Sequence, residues 1–238
     1  MANTSLNELV YERLEEQLLA IQEQLTRPLF QQYHEMLKMY QCGDLIFLNN
    51  DGIEDVLTER ANDIGLANKY AAFIENNIIP EQKAVADLKA ELRSCFAQEA
   101  AIVQFGKSGA VSFSYDWYFH FDSGINFFKE QFTYPIILEP RYLNHELPPD
   151  HYDGFGKGPN FSSVWPDCGD LIEEDTEEND LLSLGHHLMD YYQYQSRLFL
   201  HKAIRELDEN GELTFIKKTP FLFYIAEHDC EEMTLYVR

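Results

Sequence analysis

The spacing of apolar side chains changes near Glu99, and this change constrains the fold more than any other feature of the chain. Before Glu99, apolar residues recur every three or four positions, as they do along one face of a helix. After Glu99, apolar and polar residues alternate, as they do along a half-buried strand. Helices followed by strands favour a segregated architecture. We therefore predict an α+β fold, with a helical N-terminal half packed with an antiparallel β-sheet and a long C-terminal helix.

The helical part is predicted to cover about residues 1–98. Ser5 and Glu8 have the spacing of a capping box, and the apolar series that follows them continues until Pro28. Pro80 suits a first helical turn, which predicts a separate helix from Pro80 to Ala97. Three further segments are predicted here: a helical apolar series over 30–40, a short buried strand over 44–48 and a helix over 53–79.

The sheet-containing part is predicted to cover about residues 99–238. Alternation on both sides of Gly106 and Gly109 predicts an antiparallel hairpin, with strands over 102–105 and 111–121. The chain is predicted to end in a second hairpin, over 221–226 and 234–237.

A long acidic loop is predicted over 139–180, because this stretch is rich in Pro, Gly and acidic residues and has no sustained period. A long helix should follow from about Asp180 to Leu207, ended by Asn210 and Gly211. The sequence contains no internal repeat, and we predict a single domain over 1–238.

Acidic residues greatly outnumber basic ones, with 41 Asp and Glu against 18 Lys and Arg and a net charge of −23 over 238 residues. Because 45% of the residues are hydrophobic, this charge belongs to a folded body and not to a disordered acidic chain. The scattered basic residues disfavour direct binding to nucleic acid, which requires clustered Lys and Arg.

The chain has the features of a cytoplasmic protein. Its N-terminus lacks the basic and apolar regions of a signal peptide, and no apolar run approaches the roughly 20 residues that span a bilayer. Four widely separated cysteines fit reduced thiols better than a disulfide framework or a zinc site. We therefore expect a cytoplasmic location and no association with membranes.

One helix face offers a candidate site for metal-dependent or hydrolase-like chemistry. His187 and Asp190 are one helical turn apart, and His201 falls close to the same face. The spacings HExxH and ExxH, which helical metal sites require, do not occur. An amphipathic helix with polar tips is therefore favoured over a catalytic or metal site, and an enzyme remains the alternative.

Other catalytic and cofactor motifs are weaker. The loop from Gly154 to Pro159 contains three glycines and a lysine, but neither a preceding strand nor a following Lys-Ser/Thr gives it the context of a phosphate-binding loop. The chain has no GxSxG nucleophile motif and no EF-hand spacing. We predict no cofactor, no metal and no catalytic residue.

The strongest functional feature is a block of carboxylates from Asp167 to Asp180, which we call the acidic tract. Such a block attracts basic protein surfaces, and exposed aromatic residues beside it would supply packing anchors. The predicted partner-binding residues are the carboxylates Asp170, Glu173, Glu174, Asp175, Glu177 and Glu178, with the aromatic anchors Tyr152, Phe155 and Trp165. The alternative is a solvated surface that only keeps the protein in solution.

In overall make-up, the chain resembles the acidic immunity proteins with which bacteria neutralise their own toxins. The resemblance rests on size, charge and mixed helix and strand content, and no residue is carried over from it. It implies a non-enzymatic protein that binds the catalytic domain of a toxin, for example a nuclease-type effector. A structural or scaffold subunit is the second alternative, and the sequence leaves the oligomeric state open.

Overall fold

The computed structural model describes residues 2–26, 69–115, 122–129, 151–152, 156–167, 184–227 and 232–238. The chain divides into two compact units. Unit 1 comprises Met1–Glu16, Ile79–Pro166 and Gln193–Arg238, and unit 2 comprises Gln17–Ile78 and Asp167–Tyr192. A single domain over 1–238 stays a prediction, and the segments predicted over 30–40 and 44–48 lie outside the described residues.

Helices form the described N-terminal part, and a long helix precedes the last two strands. The helices are α1 (Ala2–Thr26), α2 (Glu81–Phe96), α3 (Glu99–Phe105) and α4 (Leu184–Glu209). Residues 69–76 are also helical. These elements, together with the sheet, confirm the α+β class.

Two predicted helix boundaries can be compared with the structure. α1 begins at Ala2, so Ser5 lies inside the helix and the predicted capping box of Ser5 and Glu8 is wrong. At α2 the boundary prediction holds, because Pro80 is the extended residue immediately before the helix and its carbonyl oxygen accepts the Ala84 N–H at 3.0 Å.

Within the described residues, five strands form one sheet in the order β3-β2-β1-β4-β5. Their bounds are β1 (Ser108–Tyr115), β2 (Ser123–Lys129), β3 (His151–Tyr152), β4 (Leu222–Glu227) and β5 (Met233–Val237). The sheet is mixed, not purely antiparallel as expected, because β1 and β4 are parallel neighbours. Parallel neighbours require a long crossover, and α4 supplies a helix within that connection. The closing hairpin of β4 and β5 is antiparallel, as predicted.

One of the two strands predicted for the first hairpin is a helix in the structure. Residues 102–105 belong to α3, where Ala101 and Phe105 are buried four positions apart while Ile102 and Val103 are exposed. The period of a short apolar run does not distinguish a strand from a helix. In the structure this segment is helical and buries the face that carries Ala101 and Phe105. The true antiparallel partner of β1 is β2, with Phe113 opposite Ile125.

The core of unit 1 is a layer of aromatic rings on one face of the sheet. Phe96 of α2 contacts Phe105, Phe113 and Phe223, with ring centroids 5.0, 6.5 and 6.4 Å apart. Phe105 meets Phe127 edge-on at 4.8 Å. Each fully buried ring contributes about 1.5–3 kcal/mol through burial. This layer joins α2 and α3 to strands β1, β2 and β4.

The described part of unit 2 contains a smaller aromatic contact. Tyr70 is buried, and the ring of Phe73 meets that of Tyr192 edge-on with centroids 6.2 Å apart. Tyr191 and Tyr192 are neighbours in sequence and their rings lie 5.0 Å apart. The tyrosines of α4 in this unit therefore pack against apolar and aromatic neighbours.

Candidate functional site

Most of the predicted partner-binding residues lie outside the described part of the chain. This applies to Phe155 and to the carboxylates Asp170, Glu173, Glu174, Asp175, Glu177 and Glu178. Tyr152 is described only through its backbone, which pairs with Phe127 as part of β3. Their role in binding stays a prediction.

Trp165 does not fit the predicted role of an exposed aromatic anchor. Its side chain is 3% exposed and stacks on Phe161 at 4.6 Å, while Tyr115 meets it edge-on at 5.1 Å. The turn at Phe161–Trp165, where two backbone N–H groups donate to the Phe161 carbonyl oxygen, directs both rings inward. Trp165 and Phe161 are therefore core residues of unit 1, and the expectation that Trp165 is an exposed anchor is wrong.

The helix face of His187, Asp190 and His201 does not converge on one site. His187 and His201 lie on the same continuous helix, whose rise of 1.5 Å per residue separates them by about 21 Å along the axis. His201 is also fully buried, and its Nδ1 lies 2.6 Å from the Leu235 carbonyl oxygen. A metal or acid–base site that uses both histidines is therefore ruled out by the helix itself.

The described residues contain no group of three or more His, Cys, Asp or Glu side chains placed to hold a metal ion. In the same part of the chain, no helix is both long and apolar enough to cross a membrane. Cys95 is buried, and burial raises the pKa of its thiol to about 12, which suppresses the thiolate that a nucleophile needs.

Residues 156–159 of the glycine-rich loop have a structural role. Gly158 donates its N–H to the Ser123 carbonyl oxygen at 2.6 Å, and a Cβ at Gly158 would lie 2.7 Å from the Gly124 carbonyl oxygen. Lys157 faces Asp122, with 3.4 Å between the ammonium nitrogen and the carboxylate oxygen. The loop thus packs on β2, and its lysine lies beside an exposed carboxylate.

The N-terminal half of α1, which belongs to unit 1, presents an acidic surface. Val10 and Leu14 are buried on one side, whereas Glu8, Glu12, Glu15 and Glu16 are exposed on the others. Leu9 is exposed among these carboxylates. The sequence does not mark this surface as a charged block, because its carboxylates are spaced at helical intervals and are not consecutive.

Basic side chains of unit 1 are largely engaged by carboxylates. The bridge between Arg93 and Glu212 is bidentate, with both N···O distances at 2.7 Å. Lys89 and Glu206 form a second ion pair. Further ion pairs are Arg13–Glu16, Lys83–Asp87, Lys202–Glu81, Arg205–Glu209 and Arg238–Asp208. Each pair cancels one cation and one carboxylate, so the pairing leaves the net charge of −23 unchanged.

A buried arginine is the most unusual polar group of unit 1. Arg197 of α4 is 2% exposed, and its Nη2 donates to the Tyr115 hydroxyl at 2.5 Å and to the Gln193 amide oxygen at 3.3 Å. The ring of Tyr194 stacks on the guanidinium, 4.8 Å from the ring centroid. Gln193 in turn donates to Glu227 at 3.3 Å.

The electrostatics of this cluster favour a charged guanidinium. Burial acts to lower the pKa of Arg197, but the adjacent Tyr115, Tyr194 and Glu227 raise it overall. Burying an ion costs several kcal/mol unless it is paired, and no carboxylate forms an ion pair with Arg197 among the described residues. Arg197 was not among the predicted site residues, although an arginine directly before Leu198, Phe199 and Leu200 in a helical pattern is a usable signal.

Comparison of the chain with protein-family models, with curated proteins and with solved structures found no match.

Proposed function

We propose that this protein is a non-enzymatic acidic binding protein that neutralises a basic protein partner. In this proposal it acts in the cytoplasm as an immunity protein, which inhibits a cognate bacterial toxin such as a nuclease-type effector. The observation that carries the proposal is the uncompensated charge of −23 on a chain with a well-packed aromatic core.

Charge of this size promotes association with a basic partner. Electrostatic steering raises association rates to about 10⁸–10⁹ M⁻¹s⁻¹ at low salt, against about 10⁵–10⁶ without it. The steering field comes from the surplus of carboxylates that remains after every basic residue is counted against one acidic residue. The exposed carboxylates of α1 add to it.

Two groups that could have supported catalysis, His201 and Cys95, are buried in the core. His201 contacts the Leu235 carbonyl oxygen inside the core, and the Cys95 thiol is buried with a raised pKa. This placement favours a binding role over the enzyme alternative.

The proposal is tested by capture followed by reconstitution. A tagged chain is incubated with native lysate at low salt, and a retained basic protein is identified, purified and titrated back by calorimetry. We expect a 1:1 complex in which the activity of the partner is inhibited stoichiometrically. A partner that binds without a change in its activity would contradict the inhibitory role, and retention of no basic protein would contradict the binding role.

A further inference from the structure

The first half of α1, residues 2–16, packs against the rest of unit 1 through one buried side. Val10 and Leu14 lie on this side and are fully buried. The Asn7 side chain exchanges two hydrogen bonds with the backbone of Val237, the last residue of β5. The other sides of this half carry exposed carboxylates. Its attachment to unit 1 therefore depends on a narrow interface.

A buried imidazole lies in the interface of α1 with α4 and β5. The His201 ring of α4 contacts Tyr11 of α1 and Tyr236 of β5, with ring centroids 5.8 Å apart in both cases. His201 is fully buried, and its Nδ1 lies 2.6 Å from the Leu235 carbonyl oxygen. A neutral imidazole has one N–H, so Nδ1 donates and Nε2 is unprotonated. All three elements of the interface therefore meet at a neutral ring.

The interface has no place for a second proton on this ring. The proton would go to Nε2, which is buried and has no hydrogen-bond partner among the described residues. The charged groups that act on the ring are Lys202 and Arg205, both cations of α4, and both oppose a further positive charge. Burial, and to a smaller extent these cations, lowers the pKa of His201 to about 4.

Carboxylates of the elements around the ring act on other groups. No carboxylate in the described part of the chain forms an ion pair with His201. Glu8 of α1 is exposed and acts on Arg205. The others are Glu81 of α2, paired with Lys202, Glu209, paired with Arg205, and Asp208, which accepts hydrogen bonds from Tyr236 and Arg238. A protonated His201 thus finds no counter-charge in this interface.

We propose that the first half of α1 is a pH-dependent cover, which undocks from α4 and β5 when His201 takes up a second proton. Undocking removes Tyr11 from the ring and lets water solvate the new Nε2–H. It also removes Asn7 from Val237, whose N–H and C=O then become free to pair with another strand. β5 remains paired with β4, so the opening is local. This device is independent of the proposed partner-binding role.

Hydrogen exchange of the whole protein, followed by mass spectrometry, tests the proposal. Exchange is measured at pH 7 and pH 5, with labelling times scaled to the intrinsic exchange rate. A pKa of about 4 in the docked state, against about 6.5 for an exposed histidine, predicts a fall of about 20-fold in the protection of residues 7–14. At pH 5, α2 should stay more strongly protected than these residues. Equal protection of α1 and α2 would show that α1 opens only with the whole fold, which would overturn the proposal.

Variants separate protonation of His201 from other effects of pH. His201→Asn keeps a donor for the Leu235 carbonyl oxygen but does not titrate, so protection of residues 7–14 should be the same at pH 7 and pH 5. His201→Gln replaces it if the Asn variant does not fold. His187→Asn, on the same helix, is the matched control and should show the wild-type fall. A fall of wild-type size in the His201 variant would overturn the role of this ring.

Discussion

His201 shows how a residue that suggests chemistry in the sequence serves packing in the fold. Its ring lies 5.8 Å from the rings of both Tyr11 and Tyr236, and its Nδ1 is 2.6 Å from the Leu235 carbonyl oxygen. At that distance Nδ1 must carry the proton and donate it, which leaves Nε2 unprotonated in the neutral ring. Burial lowers the pKa of His201 to about 4, so the folded protein keeps this ring neutral.

The depressed pKa of His201 predicts loss of stability in mild acid. The neutral His201 ring contributes its full stabilisation of the fold above about pH 6.5, the pKa of the residue in the unfolded chain. This stabilisation is lost as the pH falls towards about 4, the pKa of His201 in the folded protein. Between pH 7 and pH 5 we expect protonation of His201 to lower the free energy of unfolding by about 2 kcal/mol. Urea unfolding of the wild type and of His201→Asn at both pH values measures it. Equal pH dependence in the two proteins would contradict the assignment, because Asn can donate to the Leu235 carbonyl oxygen but does not titrate.

Trp165 provides a second test at a single residue. Trp165→Ala removes a ring that stacks on Phe161, and a large-to-small change of this kind costs about 3–5 kcal/mol. Ile102→Ala, at an exposed apolar position of α3, serves as the control and should cost much less. Chemical denaturation of both variants measures the difference. A Trp165→Ala protein with wild-type stability that failed to bind the partner would restore Trp165 as an interface residue.

β5 is an edge strand whose free side is closed by a side chain. The Asn7 amide nitrogen donates to the Val237 carbonyl oxygen, and the Val237 N–H donates to the Asn7 amide oxygen, both at 2.8 Å. The amide of α1 thus occupies the place of a neighbouring strand. Open edges recruit other strands, so this contact protects the sheet as well as anchoring the helix.

Removing this contact should destabilise the fold measurably. Asn7→Ala leaves the N–H and C=O of Val237 buried without partners, which costs about 1–3 kcal/mol for each group left unsatisfied. Asn76→Ala, at an exposed helical position, is the matched control and should change stability by less than about 0.5 kcal/mol. Thermal unfolding and light scattering would report lost stability and increased self-association. Wild-type behaviour of Asn7→Ala would contradict the capping role.

Regular elements were predictable where the apolar period is long and sustained. α2 and α4 have such periods, and their ends are marked by Pro80 and by Gly211, which adopts a φ of +76°. α3 and the parallel pairing of β1 with β4 were not predictable, because a short apolar run fits two periods and strand order depends on distant contacts. The Arg197 cluster combines α4, β1 and β4, so no local pattern contains it.

At the scale of the whole molecule, the net charge opposes folding and favours binding. A charge of −23 repels itself within the compact state, and this repulsion is screened by salt. Binding to a basic partner depends on the same field and is weakened by the same screening. Salt should therefore act with opposite signs on stability and on affinity.

The stability half of this statement can be measured on the isolated protein. Raising sodium chloride from about 0.01 M to about 0.15 M shortens the screening length from about 30 Å to about 8 Å. We expect the free energy of unfolding to rise, because many like charges are screened while exposed ion pairs such as Lys83–Asp87 contribute at most about 1 kcal/mol each. Urea titrations at the two salt concentrations measure the change. A fall in stability would show that ion pairs outweigh the repulsion.

Binding of a basic protein by the acidic tract is tested by comparing two variants that have the same change in net charge. The tract variant carries Glu173→Gln, Glu174→Gln, Asp175→Asn, Glu177→Gln and Glu178→Gln. The matched control makes the same change in net charge on exposed positions of α1, through Glu8→Gln, Glu12→Gln, Glu15→Gln, Glu16→Gln and Glu23→Gln.

Calorimetric titration of the purified partner into both variants and the wild type gives the result. We expect the tract variant to lose about 1–5 kcal/mol of binding free energy, roughly a fivefold to more than thousandfold loss of affinity, at about 0.2–1 kcal/mol per charge. The control should lose much less, and the difference should shrink as salt is raised. Equal losses in both variants, or wild-type affinity in the tract variant, would contradict the claim that this segment forms the binding surface.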